Sequence, residues 1–482
     1  MILSRLVRVA SARLEPSRCR PVVYSIARAR SIHTGLSAVA TAHHIHVRPA
    51  ESGILAVKQD EETAAKVSDL LQKDLENHHV YYNAEGFHNH IPHHLLTLYG
   101  TGANSDHLQV AYDTNATYQI RARPPKTQVV EELEADYTNA APKYFSRGTQ
   151  YSSFLEFFER EIEKKGWQDV ISEYVFADSD VSRQLFSRLY SGFLHPMIQL
   201  MFGLEWEQPA IIAEALAQAA VHNDRLGEAM GKAEAAANQR NHPPRVPFAS
   251  LFENIRSAES RKLVHSAHWD DPNRVYDGVL ARAPQEAVDL MARIKVREEE
   301  LEERTVEMLH TAAYVAAAAA WHPPHIPKFD FFLIHHLNSA PIFLTFNKQK
   351  WIPTRTKVRL LEWKMRLDLV QYIARGCPPL HADILRTYMP ARDQKPVSHS
   401  RELLPRFHVI RDDGHTIKVV RAMLIGQEVS KPYVGKDWIR IQTDDDWLRM
   451  HYLLLDGVEG QPSQWVRSAG FEQAWGDVPQ RT

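Results

Sequence analysis

Gln208-Pro209-Ala210-Ile211-Ile212-Ala213-Glu214-Ala215-Leu216-Ala217-Gln218-Ala219-Ala220-Val221-His222 reads as a long apolar-periodic helix that runs on to Leu226. The same pattern recurs along most of the chain. Val181 to Phe202 is a second long helix, and Glu61 to Glu76 places Ala64, Val67, Leu70, Leu71 and Leu75 at helical spacing. Ile91 to Tyr99 tolerates Pro92 in its first turn and meets Gly100 as a stop. Ser152 to Lys165 is amphipathic and ends at Gly166, and residues 286–319 make one or two further helices. Pro243, Pro244 and Pro247 mark one loop, and Pro323, Pro324 and Pro327 another. Strand signals are few. Phe407 to Ile410 and Thr416 to Val420, joined through Asp412-Asp413-Gly414, predict one hairpin. The expectation is a mainly α protein: a single large helical domain over residues 45–482, a central site built from helices, and a minor C-terminal hairpin.

The 482 residues and 44% hydrophobic content allow a large buried core. A net charge of −2 creates no field favouring nucleic acid. With Cys19 and Cys377 the only cysteines, neither a disulfide framework nor a cysteine zinc site organises the chain. Twenty-six histidines beside them fit imidazole chemistry in a reducing compartment. The strongly apolar run Ala312 to Trp321 is too short to span a bilayer, so no transmembrane segment is expected and the chain reads as soluble.

Residues 1–44 have a different character. Arg5, Arg8, Arg13, Arg18, Arg20, Arg28 and Arg30 are scattered among Ser, Ala, Leu and Val, with Glu15 the only acid up to residue 34. Residues 1–10 can form a basic amphipathic helix, and Ala29 to Thr34 looks like a processing site. Those properties predict a mitochondrial leader and a matrix location; without targeting, the chain would be cytoplasmic.

Chemistry concentrates in histidines set among apolar residues. The densest group is Gly86-Phe87-His88-Asn89-His90-Ile91-Pro92-His93-His94, where His90 caps a helix and His88 and His93 read as exposed capping residues. His195 in Gly192-Phe193-Leu194-His195-Pro196, His222, and His335 in Lys328-Phe329-Asp330-Phe331-Phe332-Leu333-Ile334-His335 stand alone in apolar surroundings. Singly, His195 or His222 is a hydrogen-bonded core residue. Together with His335 they predict a metal or proton-transfer site assembled from several helices. Lys364 has Leu360, Leu361 and Leu367 on its own face, so desolvation would favour the neutral amine. Such an amine can act as a base or nucleophile, or take up CO2 as a metal-binding carbamate. Equally, Asp368 one turn on can hold Lys364 in an ordinary ion pair. No Gly-x-Gly-x-x-Gly follows a strand, and no P-loop, Gly-x-Ser-x-Gly elbow or His-Glu-x-x-His is present.

The segments Phe87 to Tyr99, Gly192 to Pro196, Gln208 to His222, Pro327 to His335, Arg359 to Lys364 and Trp465 to Phe471 resemble the questin oxidase-like family. The resemblance runs from about residue 75 to the C-terminus. It implies an oxygen-inserting oxidoreductase of Baeyer–Villiger type that opens aromatic polyketide rings such as anthraquinones, with NADPH as a cofactor. For some members it also implies a non-haem iron, Fe(II), held by histidines and a carboxylated lysine. Carried over, the metal ligands would be His90, His195, His222, His335 and Lys364, with Lys364 as the catalytic carbamate and a small aromatic molecule and O2 as substrates. Gln199 stands where the family pattern leads one to expect a second histidine one turn after His195. Two rival readings remain at this level: a metal-free NADPH-assisted Baeyer–Villiger-type oxidase, and a non-catalytic helical scaffold.

Overall fold

The structure is a computed structural model that describes residues 39–481 apart from 84, 241–244, 258–259 and 391–395. The leader therefore lies almost wholly outside the described residues, which form one compact unit beginning at Val39. Ala42 is already buried, and its N–H donates to Glu163.

The protein is mainly α, as expected, with only isolated bridges and no sheet among the described residues. The helices that matter for the site are numbered here in chain order: α1 (Glu61–Asn77), α2 (Ile91–Gly100), α3 (Tyr151–Lys165), α4 (Asp180–Arg188), α5 (Ser191–Glu205), α6 (Pro209–Val221), α7 (Leu301–Ala318), α8 (Phe331–Ser339), α9 (Thr354–Ala374), α10 (His415–Ser430) and α11 (Asp444–Val458). The opening stretch of sequence is α6, buried from Ala210 to Val221 between α5 and α3. Its small residues permit this tight fit. At Gly203 of α5, a methyl group would lie 2.9 Å from the Ile212 backbone nitrogen, so only glycine lets the two helices approach so closely.

Around the centre, α2 packs on α5, α5 on α8, α8 on α10, and α10 back on α2. This closed ring of four helices positions the site. The segment expected as one helix over Val181 to Phe202 is broken into α4 and α5. Gly192, Phe193 and Leu194 take left-handed φ values of 55°, 55° and 67°. For the two non-glycine residues that costs roughly 1–2 kcal/mol each. The Pro196 ring, which brings no N–H to the ladder, makes such a break easier.

The predicted hairpin is not formed. Leu404–His408 is a short helix and α10 begins at His415. The turn Asp412-Asp413-Gly414 starts a helix instead: Gly414 has φ 87°, and the Asp412 carboxylate accepts from the N–H groups of Gly414 (2.7 Å) and Thr416 (2.8 Å). β-Branched Thr416, Ile417, Val419 and Val420 suggested a strand. They sit instead on a helix buried on nearly every side, where packing overrides propensity.

Asp330 ties the C-terminal segment to α8. Its Oδ1 accepts from the N–H groups of Phe332 and Leu333 at 2.8 and 3.1 Å, and its Oδ2 from those of Ser468 and Ala469, both at 2.7 Å. Asp330→Ala would leave four N–H donors, three of them buried, without their acceptor, so a loss of about 3–5 kcal/mol is expected. Denaturant unfolding checks it: a change below about 1 kcal/mol would show that water replaces the carboxylate.

Candidate metal centre

Each helix of the central ring delivers one imidazole. His90 is the N-cap of α2, His195 follows the left-handed turn of α5, His335 lies on α8 and His415 opens α10. The loop before α2 is anchored by Asn89, which donates to both oxygens of Asp74 on α1 at 3.0 Å and accepts from the Ile91 N–H. Neighbouring ring centroids around the four lie close to one another: 4.9 Å for His90–His195, 4.9 Å for His195–His335, 4.8 Å for His335–His415 and 4.7 Å for His415–His90. All four side chains are buried.

The protons on these rings can be placed by their outer partners. His195 Nδ1 donates to the Gly192 carbonyl at 2.6 Å, and His335 Nδ1 to the Phe331 carbonyl at 2.6 Å. Asp413 accepts from His90 Nδ1 at 3.1 Å and from His415 Nδ1 at 2.5 Å. Carbonyl and carboxylate oxygens accept only, so each Nδ1 carries the hydrogen and the Nε2 is the atom each ring turns inward. Those atoms face one another, with Nε2–Nε2 separations of 2.8 Å between His90 and His195 and 3.1 Å between His335 and His415. Protonation is a poor remedy. Burial lowers the pKa of His90 to about 3 and those of His195 and His335 well below the ordinary imidazole value. Four inward acceptors with no donor between them are a site for a cation, and nitrogen donors oriented by carbonyl and carboxylate groups behind them suit a transition metal. Donor atoms of His90, His195 and His415 all lie within 4.8 Å of one another.

His222 is placed differently. It ends α6, and its Nε2 lies 2.8 Å from that of His88, whose ring is stacked on His195 at 3.7 Å. His222 thus stands one ring out from the central four. Neither His88 nor His93 is the exposed cap expected from sequence. His88 belongs to this outer pair, and His93 is fully buried with its Nε2 2.5 Å from Gln199 Oε1. Gln199 in turn donates to Glu214 at 2.8 Å. It therefore serves His93 and not the ring of four.

Lys364 stands in the alternative the sequence left open. It is fully buried on α9, and its Nζ donates to both oxygens of Asp368 at 2.6 Å; Asp368 also accepts from His336 Nδ1. None of its hydrogen-bond partners belongs to the four imidazoles. The lysine that acts on the site is Lys418, one turn after His415 on α10. Its Nζ is buried without a hydrogen-bond partner among the described residues, and burial lowers its pKa to about 8. Its charge also depresses His90, His195 and His335.

His415, Asp413 and Lys418 were therefore missed in the sequence. The signal was available. On a helix, His415 and Lys418 are i, i+3 on one face, and the hairpin reading hid that spacing. Asp413→Asn is expected to weaken divalent-metal binding by about 10- to 100-fold, because two ligand rings lose their common acceptor. A competition titration with a chromogenic chelator measures this, and unchanged affinity would deny Asp413 an orienting role.

Packed helices that bring buried imidazoles to one point define an all-α protein with a site able to bind a metal ion. The chain belongs to the questin oxidase-like family, whose model matches residues 87–423, and it is an oxidoreductase. It is 37% identical over 420 residues to the Baeyer–Villiger oxidase ptaJ of Pestalotiopsis fici, covering 86% of this chain and 92% of that one. To a questin oxidase of Aspergillus fumigatus it is 33% identical over 454 residues, covering 92% of this chain and all of the relative (100%). The oxidoreductase AflY of Aspergillus parasiticus is 33% identical over 453 residues, 86% of this chain and 89% of AflY. No helix among the described residues is long and apolar enough to cross a membrane.

Proposed function

We propose that this oxidoreductase is a non-haem iron-dependent oxygenase that uses O2 to oxidise an aromatic or quinone-like ring, by cleavage or by Baeyer–Villiger-type oxygen insertion. The observation that carries the reading is the cluster of four buried imidazoles with every Nδ1 engaged, in which ligand atoms of His90, His195 and His415 lie within 4.8 Å of one another and His335 Nε2 lies 3.1 Å from that of His415. The relatives' names, questin oxidase and Baeyer–Villiger oxidase, support the aromatic substrate. His90, His195, His335 and His415 would hold the metal, and Asp413 would keep two of the rings in the required tautomer. Iron(II) bound there would supply the activation of O2, while the two electrons that balance an oxygen insertion would come from NADPH and those of a ring cleavage from the substrate itself.

The role first assigned to Lys364 passes to Lys418. An amine with a pKa of about 8 is partly neutral near neutral pH and able to add CO2, whereas the Lys364 amine is engaged by both oxygens of Asp368. A carbamate on Lys418 would bring an anionic oxygen to a site whose other donors are neutral. His222 and His88 back His195 from outside, and the partly exposed Phe193, Phe331 and Phe332 supply apolar ring surface beside the imidazoles.

The test is metal content by mass spectrometry and O2 uptake with a hydroxyanthraquinone, for the anaerobically iron-loaded and the chelator-stripped protein. Uptake only with iron is expected. Ring oxidation by stripped protein with NADPH would replace this reading with the metal-free oxidase, and no metal with no turnover would leave the scaffold. The arginine-rich leader supports a mitochondrial address. A fluorescent fusion of residues 1–44 that remains cytosolic would remove it.

A further inference from the structure

Arg467 is an exposed arginine on an immobile pedestal. Val466 before it accepts from the Phe331 N–H at 2.8 Å and donates to the Phe329 carbonyl at 3.1 Å. Ser468 after it is fully buried, donates its N–H to Asp330, and takes a left-handed φ of 76°. A serine in that region is strained by roughly 1–2 kcal/mol, and the Asp330 bonds hold it there. An arginine serving only solubility needs none of this.

Its guanidinium is held over the Phe331 ring, 4.5 Å from the centroid, and makes no ion pair or hydrogen bond among the described residues. The Phe331 ring also lies beside the candidate metal centre, its centroid 4.8 Å from that of His335 and 5.1 Å from that of His415. The cation thus stands one aromatic ring away from the four imidazoles. Two further rings border the same region: Phe193, 6.1 Å from His335, and Trp465, 6.3 Å from His415. Asp413, which like Arg467 lies close enough to act on Tyr82, has both of its oxygens taken by His90 and His415. Arg375 does not compete for the role. It is buried over Phe332 at 4.0 Å and faces Asp330.

We infer that Arg467 binds an anionic oxygen, phenolate or carboxylate, of the aromatic substrate and so turns the ring to be oxidised toward the four imidazoles. The inference rests on the oxygenase reading and adds the substrate's charge and its orientation. A planar, permanently charged fork is the side chain suited to such an oxygen, and its stacking on Phe331 fixes the plane of the fork. An anion beside the four imidazoles also answers the positive charge that a loaded metal would add.

Binding, not turnover, tests this. Tryptophan quenching of the metal-loaded protein is titrated with an acidic hydroxyanthraquinone and with its methyl ether, for the wild type, Arg467→Gln and Arg467→Lys. Arg467→Gln is expected to weaken the hydroxyanthraquinone by about 10- to 50-fold and the ether by less than about threefold, with Arg467→Lys recovering part of the difference. Metal content and circular dichroism should not change. Equal weakening of both ligands, or of neither, overturns the inference while the wild type's oxidation of the same compound leaves the oxygenase reading standing. A wild type that neither binds nor oxidises either compound overturns both.

Discussion

His415→Ala is expected to lose stoichiometric iron and to reduce turnover at least 100-fold, while the helical spectrum is retained. His415 closes the ring of four: it faces His335 at 3.1 Å and shares Asp413 with His90. Disturbing groups behind the ligands commonly costs about 10- to 100-fold in affinity, so deleting a ligand should exceed ~100-fold. The fold should survive, because His415 opens α10 and the Asp412 cap is untouched. His222→Ala is the informative comparison. With its ring one layer out, it should retain iron at near-stoichiometric level and lose less activity. If His415→Ala keeps its iron and His222→Ala loses it, the metal sits at the outer pair and the central assignment fails.

The second large effect concerns Lys418. Lys418→Met, similar in volume and neutral, should leave the chain folded. A slight stabilisation below pH 8 is expected, since burial disfavours the ammonium and a group with a lowered folded pKa opposes folding when protonated. Iron loading and activity, in contrast, should fall at least tenfold, an effect that added acetate partly reverses by supplying a carboxylate. The pH dependence has a defined sign. With His90 near 3 and His222 near 4, those rings are neutral throughout the physiological range, whereas neutral Lys418 increases as pH rises through about 8. Reconstitution with Fe(II) should therefore accelerate from pH 6.5 to 8.5 and with added bicarbonate, and carbon-13 NMR with labelled bicarbonate should give a carbamate signal absent from Lys418→Met. A rate independent of both pH and bicarbonate would remove the carbamate from the site. Lys364→Met should behave in the opposite way. It strands buried Asp368 and His336 and costs about 3–5 kcal/mol of stability. Any protein that still folds should load iron.

Much of the architecture was legible because helical periodicity is a local property. The helices at 61–77, 91–100 and 151–165 begin and end within a residue or so of their expected limits, at signals such as Pro92 and Gly166, and that at 209–221 begins as expected but stops five residues short of Leu226. Two readings failed where local preference and packing disagree. The strand-like residues after Gly414 are buried on all sides of α10, and the apolar run from Val181 is interrupted by three left-handed residues that bring His195 into the centre. His90, His195 and His335 stood out because an imidazole among apolar neighbours is conspicuous. His415 did not, since its flanking Asp-Asp-Gly resembles a turn.

The sequence by itself determined the helical class, the wealth of histidines among apolar residues and the family, because composition, period and motif are written residue by residue. Only the tertiary structure decided which imidazoles meet, which of two buried lysines is paired and which is free, and where Arg467 stands. The imidazoles that meet lie 80 or more residues apart in the chain. Their meeting follows from how α2, α5, α8 and α10 close into a ring, a packing outcome that no local pattern encodes.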